Sequence, residues 1–439
     1  MMTTVDNRHR AAARIGGADR ILTDHEVTGF IADQLAGIDA DGRSVCVLVP
    51  DGTRSCPLPL LVGAVHRALH GRVSRLTVLI ALGTHAAMSD DALAAHLGYG
   101  GRDLAEVYPD TTVRNHEWWK PETFAYLGTI GSARIEELSE GRMSGDVEVL
   151  LNRAVVDHDI ALVVGPVLPH EVVGMSGGNK YFFPGVAGQK IIDVSHWLGA
   201  LITSAEIIGT TGVTPVRALI NDGAALIPAR AYAFCVVTAE SPDEAGAGID
   251  SDRGTALHSI SFGDCVSSWE DAAQVSAATH VTYLDAPVRR VLSLVPAMYD
   301  EIWTGAKGFY KVEPVVADGG EVILYAPHIR EIASSHPEIY EVGYHCRDYF
   351  VKQWDAFAHV HWGVLAHSTH LRGAGTYDPA TGQERLRVNV TLATGISEEV
   401  CRAVNLGYRD PAGVDVAAFA ADPDTLVVPR AGEVLFRLH

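Results

Sequence analysis

Short apolar runs rich in β-branched residues recur early in the chain, with helical stretches between them. They are "SVCVLVP" at 44–50, "RLTVLIALG" at 75–83 and "IALVVGPV" at 160–167. Each is too short for a buried helix, is ended by turn residues, and does not alternate polar with apolar. Strands buried on both faces look like this, and parallel sheets are built from such strands. The intervening segments read as helices. "PLPLLVGAVHRAL" (57–69) spaces its apolar residues three and four apart, and "SDDALAAHLG" (89–98) opens with a Ser cap and early acids. Strand, loop, helix, strand is the grammar of an α/β fold with a mainly parallel sheet.

At 439 residues the chain is long for one core, so two α/β domains are expected. A polar stretch, "ESPDEAGAGIDSDRG" (240–254), reads as a surface loop. A helix over 268–280 follows, and then a second α/β unit with "PVRRVLSLVPAMYDEIWTGAKG" and "GGEVILYAP". The reading puts a first domain at 1–272 and a second at 273–423, the last strand region (424–439) returning to either.

Composition excludes several classes of partner. A net charge of −20 argues against nucleic acid or an anionic membrane as the main partner. No apolar run approaches membrane-spanning length. The start, "MMTTVDNRHRAAARIGG", lacks the apolar centre of a secretory signal, so a cytoplasmic protein is expected. The six cysteines are scattered, without a CxxC pair, which fits small buried hydrophobes better than disulfides or a zinc knuckle.

In a parallel sheet, ligands bind beyond the carboxyl ends of the strands. After the first run comes "DGTR" (Asp51, Gly52, Thr53, Arg54), and after the second "LGTH", ending at His85. After the third comes "PHEVVGMSGGNKYFFPG", with His170, Gly177, Gly178 and Lys180. Taken singly these are weak: Asp51 is as good a helix cap, His85 an ordinary loop histidine, "GMSGGNK" a glycine turn. Their convergence on one face is the signal. The lysine loop is not a Walker A motif, because Asn179 precedes Lys180 and Tyr181 follows it. A lysine in an apolar pocket also suits a pyridoxal phosphate Schiff base, and spacing leaves that open. A second cluster, "HVHWGVLAHSTHLRG", holds His359, His361, His367, His370 and Arg372. Four His so close suggest metal. A strand with i, i+2 pairs followed by a loop over the site explains them about as well.

"DGTR", "GTH" and the lysine segment, followed sixteen residues later by His196 in "SHW", resemble the lactate racemase family in order and spacing. A weaker echo is "YDEIWTGAKG" at 299–308. The resemblance implies two α/β domains with the cofactor in the cleft between them. It implies a nickel-pincer nucleotide (pyridinium-3,5-bisthiocarboxylic acid mononucleotide with nickel), loaded by maturation proteins. Lys180 would tether it through a thioamide, His196 would ligate nickel, and Asp51, Thr53, Arg54, Gly177 and Gly178 would adjoin it. The glycines would let so bulky a group approach the lysine. His85 and His170 would be the acid/base pair. Arg54 and Lys307 would anchor the substrate carboxylate.

The implied reaction is racemisation or epimerisation of a 2-hydroxy acid. Its C2–H is too weakly acidic to leave easily as a proton, but leaves as hydride while a base takes the hydroxyl proton. Thr304 stands where the lactate enzyme has glutamine, with Trp303 beside it. A larger or more polar hydroxy acid is therefore expected, with Trp303, Thr304 and His367 touching it and His370 and Arg372 as further candidates. The alternatives are a pyridoxal enzyme built on Lys180, an enzyme using the same cofactor to oxidise or rearrange its substrate, and a non-catalytic carrier of the nickel nucleotide.

Overall fold

The computed structural model describes residues 11–240 and 255–439. The chain start and all but the first residue of the polar 240–254 stretch lie outside them. The three apolar runs are strands Ser44–Pro50, Arg75–Ala81 and Ile160–Pro166. They are the middle of a seven-stranded sheet whose edge beyond Arg75–Ala81 is Thr111–Asn115. On the other side lie Arg230–Glu240, Thr255–Gly263 and Ala13–Gly16. The first five strands run parallel, and Thr255–Gly263 and Ala13–Gly16 are each antiparallel to the neighbour before them. Chain order builds outward from Ser44–Pro50 in one direction and from Ile160–Pro166 in the other. These two adjacent strands therefore flank the topological switch point, where a crevice opens beyond their carboxyl ends.

Alternate residues of each central strand face opposite layers, which is why the runs are apolar on both faces, save the buried Thr77 paired with His158. Val45, Val47 and Val49 pack on one layer, and Cys46 and Leu48 on the other. That second layer continues without a break into the second sheet, through Val291, Val322, Leu324, Val390 and Leu392. The second sheet has five parallel strands in the order Gly407–Tyr408, Val388–Thr394, Val316–Ala326, Val288–Leu294, Thr425–Val428. Each fully buried aliphatic side chain in this layer contributes about 1.5–3 kcal/mol, so the two sheets stabilise one another.

Three details differ from the sequence reading. The helix is continuous over Cys265–His280 and packs on the first sheet through Trp269, Ala272 and Ala273, so the passage between sheets falls after it, not at 272/273. The C-terminal strands do not return to the first sheet. Thr425–Val428 pairs with Val288–Leu294, and Leu435–Leu438 with Val281–Leu284. The histidine-rich stretch is not a strand: His359 and His361 lie in the turn leading into the helix Trp362–Arg372, and His367 and His370 lie on that helix. With only Gly363 and the cap at Gly373 against it, the run "WGVLAHSTHLR" has enough helix formers for tertiary packing to decide. All six cysteines are free thiols. No helix among the described residues is long and apolar enough to cross a membrane.

Candidate active site

One cavity collects side chains from both sheets. From the end of Ser44–Pro50 comes Asp51, 7% exposed. Its Oδ1 accepts from the Thr53 amide at 3.1 Å and hydroxyl at 2.6 Å, and its Oδ2 pairs with His85 Nδ1 at 2.5 Å. Burial alone would raise the Asp51 pKa, but His85 and Thr53 outweigh it and hold the carboxylate ionised, below its usual range. An ionised carboxylate only accepts, so His85 Nδ1 donates, and in the neutral ring Nε2 carries the lone pair. His85 stands in the loop after Arg75–Ala81, where its carbonyl accepts from Trp118 Nε1 at 3.0 Å.

The chain beyond Ile160–Pro166 makes a small antiparallel ladder, Pro169–His170 against Gly174–Met175. His170 Nδ1 accepts from the Val172 amide at 3.1 Å, so in the neutral ring the proton sits on Nε2, the reverse of His85. Burial, with Lys180, Arg54 and Lys311 nearby, pushes the His170 pKa well below 6.5. Lys180 follows in the 3-10 turn Gly178–Tyr181. Burial and the Arg54 charge lower its ammonium to about 7, so much of it is free amine at neutral pH. His196, on the helix Gln189–Ile202, pairs through Nδ1 with the Ile192 carbonyl at 2.7 Å. Carbonyls only accept, so its Nε2 is left as a lone-pair donor, and burial keeps the ring neutral.

The second sheet supplies the facing wall: Trp303, Lys307, Tyr310, His367 and His370. Lys307 lies in the helical turns after strand Val288–Leu294, over the Tyr299 ring at 5.0 Å. Burial and Arg54 lower it to about 7 as well. His367 and His370, three apart on the helix Trp362–Arg372, share its cavity-facing side. The Trp303 indole is stacked between His336 and His367, with ring centroids 3.9 Å away on both sides.

Asp51, Thr53, Arg54, His85, His170, Gly177, Lys180, His196, Trp303, Lys307 and His367 thus line one cavity. Gly178 and Thr304 do not. A Cβ on Gly178 (φ +56°) would meet the Cys265 carbonyl at 2.7 Å and Trp269 at 2.8 Å, and one on Gly177 (φ +86°) would meet Val167 at 2.5 Å. Both glycines hold a positive-φ turn packed on the protein interior, and Gly177 also lines the cavity beside Lys180. Thr304 is buried, with its hydroxyl on the Glu301 carbonyl. Of the histidine cluster, His359 and His361 are exposed, and Arg372 faces a different groove with Arg289, Arg290 and Arg402. No group of three or more His, Cys, Asp or Glu among the described residues is arranged to hold a metal ion.

Three residues of the site have no sequence signal. Glu171 lines the cavity and stays ionised against its own burial because Lys311, Lys307 and Arg54 surround it. Lys311 is buried against the Pro169 carbonyl. Arg217, 1% exposed and without a carboxylate partner, donates to the carbonyls of Gly177 and Met175 and lies over Trp269 at 4.2 Å. Trp269 Nε1 donates to the Ser176 carbonyl at 2.9 Å, so the turn before Lys180 is clamped by both.

Comparison with known proteins bears on the same region. Residues 30–209 match the model of the lactate racemase N-terminal domain. The lactate racemase of Thermoanaerobacterium thermosaccharolyticum is 26% identical over 162 residues, 36% of this chain and 33% of that protein. The lactate racemase of Lactiplantibacillus plantarum is 22% identical over 167 residues, 38% of this chain and 35% of that protein. The matched stretch therefore spans about a third of the length of these curated relatives. Among solved structures, a Thermotoga maritima protein superimposes with a TM-score of 0.86 at 32% identity, covering 97% of this chain and 100% of that one. The lactate racemase apoprotein of T. thermosaccharolyticum does so with a TM-score of 0.65 at 18% identity and the same coverage, a likeness of fold.

Proposed function

We propose that the chain is a member of the lactate racemase family and an isomerase that interconverts the two configurations at C2 of a 2-hydroxy acid. One observation carries this reading. Lys180, His196, His85 and His170, drawn from four separate segments, open on the same cavity in complementary states.

The donor set fits the implied nickel-pincer nucleotide. Lys180 offers an amine lowered to about 7, and His196 a fixed Nε2 lone pair. A metal held by one protein imidazole would need its other ligands from the bound group itself. Arg54 and Lys307 in the wall favour its phosphate and an anionic substrate. Held by Lys180 and His196, such a group would supply a two-electron acceptor for the C2 hydrogen.

The chain's own residues do the rest. His85 takes the hydroxyl proton on Nε2, and the Asp51 carboxylate stabilises the imidazolium that results. His170, neutral with its proton on Nε2, donates a hydrogen bond from Nε2–H to the substrate oxygen and keeps that proton, while His85 Nε2 returns the proton it took when the hydrogen comes back to C2. Arg54 and Lys307 fix the carboxylate, so that the flat 2-keto acid stays while its face is exchanged. Loading by maturation proteins and a cytoplasmic setting belong to the same proposal; six free thiols support a reducing compartment.

The test is chiral chromatography of single-enantiomer 2-hydroxy acids incubated with protein from a host that makes the cofactor. Deuterium at C2 is expected to be retained in the racemised product. Wash-out into solvent would mean proton abstraction and overturn the hydride reading. A borohydride-reducible absorbance band would indicate pyridoxal phosphate on Lys180 instead.

A further inference from the structure

The second-sheet wall holds polar atoms that the proposed chemistry does not use. His367 is 8% exposed and lines the cavity. Its Nε2 is 2.9 Å from the Trp303 carbonyl, which only accepts, so Nε2 carries the proton. Nδ1 is then an obligate acceptor, and it is buried with no partner. His370, 3% exposed and also on the cavity, pairs through Nδ1 with the Ser204 hydroxyl and leaves Nε2 buried and unpaired. A buried acceptor left without a donor, as His367 Nδ1 is, is rare and costly, and a bound ligand or water normally completes it.

The chemistry of the missing donor can be found by elimination. A methyl group, as at C3 of lactate, offers no hydrogen to Nδ1 and leaves the acceptor stranded. A second carboxylate brings lone pairs against a lone pair, close to the Glu171 carboxylate that already acts on both rings. An ammonium has hydrogens, but it would enter a cavity where burial and the Arg54 charge already disfavour the ammonium forms of Lys180 and Lys307. A hydroxyl donates, is neutral, and meets neither objection. Burial holds both imidazoles neutral, at about 3 for His367 and about 4 for His370, so Nδ1 of His367 remains an acceptor throughout the neutral range.

We propose that the substrate is a 2-hydroxy acid carrying at least one further hydroxyl, which His367 reads through Nδ1, with His370 beside it. This rests on the racemase reading above and narrows its substrate class. A site built to bond a hydroxyl rejects the analogue that lacks it far more strongly than an apolar pocket rejects a missing methylene.

The experiment compares lactate, glycerate, a four- to six-carbon polyhydroxy acid and malate as single enantiomers. Turnover is measured on the cofactor-loaded enzyme, and binding by calorimetry on the cofactor-free protein. The best polyhydroxy acid is expected to exceed lactate by about 10²-fold or more in kcat/KM. Malate should fall with lactate. His367→Leu should collapse the preference to within about tenfold, with the loss read as a ratio between substrates. If that variant does not fold, the wild-type ratios decide alone. Racemisation with lactate equal to or better than the polyhydroxy acids, or with malate best, would overturn the inference and leave the racemase reading intact. Hydroxyl-selective binding without interconversion of any acid would do the opposite. Absence of selectivity in both measurements sinks the inference.

Discussion

On the first-sheet wall every imidazole of the proposed machinery has its Nδ1 committed: His85 to Asp51, His170 to Val172, His196 to Ile192. On the second-sheet wall His367 and His370 each keep a buried ring nitrogen without a partner. The first wall is a completed network whose tautomers are set before anything binds. The second wall is completed only by what it binds. The family match, residues 30–209, covers the first wall and stops well before the second. A chemistry held in common and a specificity particular to this chain would divide along that line.

Substitutions can break this contrast. The largest effect is expected from Lys180→Ala, which should abolish any covalent adduct in the intact mass and with it all turnover; Lys180→Arg should not restore it. His85→Ala should lower kcat by about 10²–10⁴ with adduct retained, since it removes one proton-transfer group. Equal loss of adduct and activity would mean that His85 holds the cofactor instead. Arg217→Met strands the carbonyls of Gly177 and Met175, at about 1–3 kcal/mol each. It should lower Tm and slow adduct formation, and an unchanged Tm would refute the clamp.

A smaller effect comes with pH. Lys180 is depressed to about 7 in the folded chain against 10.5 unfolded, so between those values the unfolded state binds more protons and stability rises with pH. Amine acylation of Lys180 in cofactor-free protein should accordingly be half-maximal near pH 7, as peptide mapping would report; a midpoint near 10 would place the lysine in water. Least of all, His361→Ala on the exposed end of the histidine cluster should change kcat/KM less than about twofold, as surface substitutions do.

Much of the first wall was legible because it follows strand ends. The apolar runs locate the strands, and what comes after them in a parallel sheet faces the crevice. Arg217 was not legible: in "TPVRALI" it reads as an ordinary surface arginine of an amphipathic helix, and only the tertiary fold puts it under the lysine turn. Glu171 sat in plain view beside His170, but its weight depends on Lys307 and Lys311, well over a hundred residues away. The helix Trp362–Arg372 is obscured in the sequence because its two His follow two others in the turn before it, which suggests an i, i+2 pattern. It is fixed by docking, with the Gly363 amide on Asp193 at 2.9 Å and His370 on Ser204.

The same docking has a kinetic consequence. Hydrogen bonds join the two sheets around the cavity: Ser55 to Glu433, Thr84 to His336, Asp193 to Gly363 and Ser204 to His370. Together they form a seam on more than one side of the opening. A bulky ligand entering across that seam would have to undo these bonds. Were the proposed nucleotide to enter the folded chain, its rate of installation would follow how often the halves part, and a protein that holds them apart would speed assembly.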